Sequence, residues 1–333
     1  MKFGKLIQIV IGLLIMGAAL YIFLKGTNPE ALLRQLSSIN PLRLVTGGFL
    51  GVLSLYFRAK RWHYILPDKT DTRKTNLFPF VSIGFMVNNL VPARIGEAVR
   101  AFLLWTRNGY SATTSIGSLI VERSIDMAFY GSFFVIPALF LPRLSTLRPV
   151  AWIIGAAILG FILMLTLYRL FTSRVKRLGK TVINRAPDRF RPKLLEMGSE
   201  IASTLDWLFS VKRSSAIFLY TVLTSICYPM IMLVLIEPAA DFGIISALFI
   251  QAAASVGSAI PLSPGYVGTL HAVMLQGLSY LGIESDRARA IAILYHAINY
   301  IPVTLIGIWY FFRVKLSLDD IREAKERLQE TTS

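Results

Sequence analysis

Cysteine is almost absent. Cys227 stands alone in 333 residues, inside an apolar run. A disulfide framework and a cysteine-based metal site are therefore excluded. Histidine is scarce as well, and His63, His271 and His296 lack zinc-ligand spacing. Charge is thin, at 16% of residues, where soluble domains carry about 25%. No GxGxxG, P-loop, GxSxG or HExxH pattern occurs, so nothing points to a catalytic nucleophile, and neither metal nor cofactor is expected.

What fills the chain instead is apolar sequence: 54% hydrophobic residues and a mean hydropathy of +0.58. Continuous apolar runs favour one membrane bundle over two soluble domains. Spans are expected at Leu6–Leu24, Leu42–Phe57, Ser115–Leu141, Val150–Phe171, Ala216–Ile236 and Ala288–Phe312. Lys25, Thr27 and Asn28 follow the first run in place of a small-residue cleavage site, so it reads as a span and not as a signal peptide. Arg58, Lys60, Arg61 and Trp62 after the second run read as an interfacial anchor, as does His63. Pro29–Ile39 and Leu194–Phe209 are amphipathic, and Thr172–Lys193 is strongly basic. The net charge of +16 fits loop topology and lipid headgroups better than nucleic acid, because most basic residues flank apolar runs.

Two further apolar stretches are interrupted. Leu77–Trp105 contains Asn88, Asn89, Pro92, Arg94, Gly96, Glu97 and Arg100, and Ile244–Leu281 contains Ser263, Pro264, Gly265 and Gly268. Leu90–Gly96 aligns with Leu262–Gly268 at an offset of 172, and the following spans align at 173, setting Glu122, Arg123 and Asp126 on Tyr295, His296 and Asn299. Each interrupted stretch either crosses the membrane or folds back as a hairpin. With hairpins, both termini are cytoplasmic, and 24 Lys and Arg lie on that side against 7 outside, as the positive-inside rule requires. The fold expected is an all-α integral membrane protein with six spanning helices and two re-entrant helical hairpins, arranged as inverted repeats. It forms one membrane domain over residues 1–333, with repeats of about 1–145 and 146–315 and a cytoplasmic tail at 316–333.

Charge inside a membrane costs about 2.5–3.5 kcal/mol per residue on insertion scales, so it is paired or functional. Arg94, Glu97 and Arg100 are three apart and share a face if a half-helix starts near Pro92. Such a start favours an anion, and Arg94 is placed to clamp a phosphate. Glu122 and Asp126 share a helix face, with Arg123 able to pair with Asp126. These charges either bind a headgroup and relay protons, or only hold the bundle together. Gly265 and Gly268 permit a left-handed turn or close approach. Tyr266, His296 and Asn299 add polarity from the second half, and His296 either titrates or packs through a hydrogen bond. With Asn89, these residues make up the candidate substrate site.

The runs Asn89-x-x-Pro92-x-Arg94-x-Gly96-Glu97-x-x-Arg100, Glu122-Arg123-x-x-Asp126 and Pro264-Gly265-x-x-Gly268, with Arg61-Trp62, resemble the lysylphosphatidylglycerol synthase transmembrane (flippase-like) family. Thr269-Leu270-His271 departs from the Arg-Glu pair expected after the last glycine motif. Only 21 residues follow Phe312, so the resemblance is to the flippase half without the soluble aminoacyltransferase domain. It implies a lipid flippase or a transporter of a lipid-linked intermediate in the cell (inner) membrane, and no lysyl-lipid synthesis. The alternative is a membrane enzyme, or its accessory subunit, acting on polyprenyl-phosphate or phospholipid headgroups. The partners implied are membrane lipids with anionic or phosphate-bearing headgroups, with room for a homo-oligomer and none for nucleic acid.

The topology is testable by cysteine labelling. A cysteine at Lys180 is expected to label only from the cytoplasmic side, and one at Ser285 only from outside. Labelling of position 180 from outside would refute the inverted arrangement.

Overall fold

The computed structural model describes residues 17–18, 20–21, 23–25, 27–67, 76–91, 95–236, 242–259 and 264–315. Most of the expected first span, Pro92, Arg94, Ser263 and the tail 316–333 lie outside these residues. The described chain is all helical, with no strand among the described residues: α1 (Pro29–Ser37), α2 (Pro41–Ile65), α3 (Phe78–Leu90), α4 (Gly96–Asn108), α5 (Ala112–Phe140), α6 (Arg148–Leu170), α7 (Thr172–Ile183), α8 (Arg191–Ser203), α9 (Val211–Leu235), α10 (Ile244–Ala259), α11 (Thr269–Tyr280) and α12 (Ser285–Arg313).

Among the described residues, four helical stretches are long and apolar enough to cross a membrane: α2, α9, α12, and α6 with the 3-10 turn before it. At 1.5 Å per residue, the 25 residues of α2 reach about 37 Å, more than the roughly 30 Å of a bilayer core. Helix α5 has 29 residues but carries Glu122, Arg123 and Asp126 along its length. Local signals set the ends. Asn40 caps α2 by accepting from the Leu42 N–H, and Ser111 caps α5 by accepting from Thr114. Gly109 closes α4 in the left-handed conformation.

Each interrupted stretch is a pair of helices packed on one another, α3 with α4 and α10 with α11. Glycine makes the first pair this close: a Cβ on Gly96 would overlap the Gly84 carbonyl oxygen and crowd Asn88. Asn88 ties the same junction, accepting from the Gly96 N–H at 2.7 Å and donating to Glu97 at 3.0 Å. In the second pair, Gly265 (φ 58°) and Gly268 (φ 87°) adopt left-handed conformations at the break.

Several helices of the second half match those of the first in length. Helices α2 and α9 each have 25 residues, at an offset of 170, and α5 and α12 each have 29, at an offset of 173. The contacts exchange in the same way. Helix α3 packs on α12 of the other half, α10 packs on α5, and α2 packs most extensively on α9. Helix α6 stands at the rim, with Ala151 as its one buried residue. Its apolar side chains face outward, as expected of a helix solvated by lipid.

The second span departs from the sequence reading in a way that matters. Helix α2 does not stop at Phe57 but runs two further turns, to Ile65. Arg58, Arg61 and Trp62 are thereby buried, at 2%, 0% and 0% exposure. They are not an interfacial anchor, because their spacing puts them on the inward face shared with Leu55. Lys60 alone of that basic group is exposed, and His63 is half-buried.

Glycine substitutions test the packing. A Cβ on Gly307 would collide with Met86, while one on Gly160 meets nothing within 4 Å. Gly96→Ala and Gly307→Ala are each expected to cost about 1–3 kcal/mol through overpacking, and Gly160→Ala is expected to leave the melting temperature in detergent unchanged or raised. Equal melting temperatures for all three would contradict this packing.

Candidate functional site

Two carboxylates on α5 organise the site. Glu122 and Asp126 are four residues apart and buried, at 0% and 3% exposure, so both need partners. Helix α4 supplies Arg100, whose guanidinium forks onto Glu122 at 3.0 and 2.7 Å. Helix α2 supplies two more arginines, three residues apart. Arg58 reaches Glu122 at 3.0 Å and Asp126 at 2.6 Å, and Arg61 reaches Asp126 at 2.7 Å and Glu122 at 3.8 Å. Arg123, part-exposed, pairs with Glu97 at 3.3 Å, with Asp126 at 3.5 Å and with Glu122 at 3.6 Å.

Aromatic rings complete the packing. The Arg100 guanidinium lies 4.4 Å over the Trp62 ring, and Arg58 lies 5.2 Å over Phe85. The Trp62 indole N–H donates to Ser118 on α5 at 3.0 Å. Among the described residues, the network sets four guanidinium groups against three carboxylates, a surplus of one positive charge. The Nε–H groups of Arg58 and Arg123 are buried without a hydrogen-bond partner.

A cavity of about 1150 Å³ opens beside this network. Arg58, Arg123 and Asp126 form its charged wall. The lining also includes Tyr295, His296 and Asn299 of α12, the positions that the sequence alignment of the halves sets on Glu122, Arg123 and Asp126. Apolar residues form most of the remainder, and three of them, Met127, Val150 and Val256, also face outward at 76%, 47% and 59% exposure. The cavity therefore joins a charged interior to the apolar flank between α5, α6 and α10.

The expected site residues distribute unevenly. Arg123, Asp126, Asn89, Tyr266, His296 and Asn299 line the cavity. Arg100 and Glu122 do not line it; they stand behind the wall and anchor it. Glu97 bonds to Arg123 and Asn88. Asn89 docks on α12, donating to Thr304 at 2.9 Å while its carbonyl accepts from the Tyr300 hydroxyl at 3.2 Å. Arg94 and Pro92 lie outside the described residues. Pro264 and Gly265 belong to a 3-10 turn before Tyr266, and Gly268 donates its N–H to His271 Nδ1 at 3.2 Å. That bond leaves the proton of neutral His271 on Nε2, which stands 3.2 Å from His296 Nδ1. His296 is thus held through a histidine pair fixed to the second helix break.

Arg58 and Arg61 are the residues that sequence reasoning missed. One signal was available: three carboxylates in apolar stretches need cations, and a three-residue spacing continues the inward face of α2.

The network predicts an asymmetry between two substitutions. Glu122→Gln leaves buried arginines undercompensated and is expected to cost about 3–5 kcal/mol, read as a lower melting temperature in detergent. Arg123→Gln changes a part-exposed partner and is expected to cost under about 1 kcal/mol. A Glu122→Gln variant as stable as the parent would remove the structural role of this carboxylate.

Comparison with known proteins agrees with this architecture. A UPF0104 membrane protein of Methanothermobacter thermautotrophicus is 24% identical over 349 residues, covering 92% of this chain and 95% of that protein. A second UPF0104 membrane protein, from Methanocaldococcus jannaschii, is 25% identical over 242 residues, covering 70% of this chain and 95% of its own length. A shorter likeness, 28% identity over 127 residues, links 38% of this chain to 20% of the glycosyltransferase AglD of Haloferax volcanii. The family profile described as the lysylphosphatidylglycerol synthase TM region matches residues 9–307. The chain is a multi-pass membrane protein and belongs to the lysylphosphatidylglycerol synthase transmembrane-region family.

Proposed function

We propose that this protein moves a phosphate-bearing lipid, or a lipid-linked intermediate, across the cell (inner) membrane. One observation carries the reading: a cavity with a buried arginine, Arg58, and a part-exposed one, Arg123, in its wall opens to an apolar flank through Met127, Val150 and Val256. A lipid headgroup fits the first environment and acyl chains fit the second. Arg123, which lines the cavity and is part-exposed, offers its guanidinium to phosphate oxygens.

In this reading, six helices span the membrane: the N-terminal segment, α2, α5, α6, α9 and α12. The pairs α3–α4 and α10–α11 are re-entrant hairpins entering from opposite faces. The matched helix lengths and exchanged contacts of the halves support an inverted repeat with both termini cytoplasmic, the arrangement in which two halves rock around a central site. Arg58 and Arg123 contact phosphate, while Glu122 and Asp126 hold the arginines in place and do not themselves take a cationic group.

The rival reading, a membrane enzyme acting on lipid phosphates, has the partial likeness to a glycosyltransferase in its favour, and that likeness covers a fifth of that protein. The decisive experiment uses purified protein in liposomes, scored for headgroup exposure and for product formation. Transport without product is expected. Arg123→Gln is expected to fold and to transport about tenfold more slowly, since one charge-assisted hydrogen bond is worth about 1.5 kcal/mol. Product formation would assign an enzyme, and unchanged transport by Arg123→Gln would remove this residue from the site.

A further inference from the structure

We infer that the lipid headgroup is an anionic phosphate ester of an uncharged, hydroxyl-bearing alcohol, such as glycerol or a sugar, and that headgroups bearing an ammonium group are rejected. The inference rests on the proposed lipid-binding role of the cavity and assigns its substrate class.

The first argument is charge. Of the three carboxylates in the network, Asp126 alone reaches the cavity surface. Both its oxygens are ion-paired, Oδ1 with Arg61 at 2.7 Å and Oδ2 with Arg58 at 2.6 Å and Arg123 at 3.5 Å, and only Oδ2 accepts a hydrogen bond, from Arg58. Glu122 is fully buried behind the wall, and Glu97 bonds to Arg123 and Asn88. Among the described residues, each carboxylate of this network is ion-paired with at least one arginine, so for each of them a guanidinium would compete with an ammonium group. The surplus positive charge makes that wall repulsive to one. The same surplus, with the part-exposed Arg123 in the lining, favours a phosphate.

The second argument is the opposite wall. There the repeat replaces a Glu-Arg-Asp set with Tyr295, His296 and Asn299. Tyr295 donates to Gln251, whose amide in turn donates to Ser255 at 3.2 Å. Asn299 spends its N–H on the Tyr295 carbonyl at 2.8 Å, which leaves its side-chain oxygen as an acceptor. A wall of hydroxyl and amide groups beside tyrosine rings matches the hydroxyls and C–H faces of a polyol, and it offers no counter-charge for a cation. A phosphate on the arginines thus places the rest of the headgroup against a wall suited to hydroxyls.

The test is binding by native mass spectrometry of the whole protein, exchanged from detergent, with lipids of matched acyl chains. The probes are phosphatidylglycerol, phosphatidylinositol, phosphatidylethanolamine, lysyl-phosphatidylglycerol and phosphatidic acid. Phosphatidylglycerol and phosphatidylinositol are expected to bind at least about tenfold tighter than the two ammonium-bearing lipids, and tighter than phosphatidic acid. Asn299→Leu is expected to erase the advantage over phosphatidic acid. Binding of phosphatidylethanolamine or lysyl-phosphatidylglycerol as tight as that of phosphatidylglycerol overturns the inference while leaving a lipid site in place. Binding of none of the five overturns the proposed function itself. Soluble glycerol 3-phosphate in excess is expected to leave bound phosphatidylglycerol in place; displacement would assign the site to a free phosphate ester and overturn the lipid reading.

Discussion

The pairing of Glu122 and Asp126 with buried arginines is the interaction on which the rest of the structure depends. Taking an ion out of water costs several kcal/mol even after the protein relaxes, and only close, multiple partners repay it. Here the repayment comes from three elements at once. Arg58 and Arg61 arrive from α2, Arg100 from α4 and the carboxylates from α5. The network therefore fixes the rotation of α2 and α5 and the depth of α4. It also accounts for α3 and α4 being two packed helices and not one continuous helix. A helix that continued from α3 would carry Arg100 about fifteen Å farther along the same axis, whereas the reversal returns it to Glu122.

Close backbone approach makes that reversal fit. In lipid, helices gain little from burying apolar surface and associate through small residues that let backbones come near. Gly96 against Gly84, and Gly307 against Met86 and Ser82, are contacts of this kind. So are Gly47 and Gly48, whose Cβ positions face Ile298 and Pro302 of α12. The glycines bring α3 and α2 against α12, and so set the distance across which the cavity's two walls face one another.

The cavity presents two chemistries. Arg123 and Asp126 of α5 reach its surface as a charged set, and Tyr295, His296 and Asn299 of α12 reach it as a polar set without carboxylate or guanidinium. The charged set is stabilised from behind by Arg100 and Arg61. The uncharged set is stabilised by the Tyr295–Gln251–Ser255 network and by the histidine pair tied to Gly268. The lining thus combines two different chemistries, and the proposed selectivity follows from that difference.

The sequence by itself determined the membrane character, the interrupted stretches, and the presence of Arg100, Glu122, Arg123 and Asp126 within apolar surroundings. These follow from composition, run length and spacing, which are local properties. It also marked Gly265 and Gly268 as positions for left-handed backbone, and both adopt it. Tertiary structure alone decided which cations pair with the carboxylates. Arg58 and Arg61 close an apolar run beside Lys60 and Trp62, and that local pattern is the same for an exposed anchor and for two more turns of buried helix. The difference lies in what stands opposite, and Glu122 and Asp126 are more than sixty residues away in the chain. Tertiary structure likewise separated the residues that line the cavity from those that brace it. Side chains three or four apart share a helix face, but whether that face meets a cavity or a neighbouring helix depends on how distant elements pack.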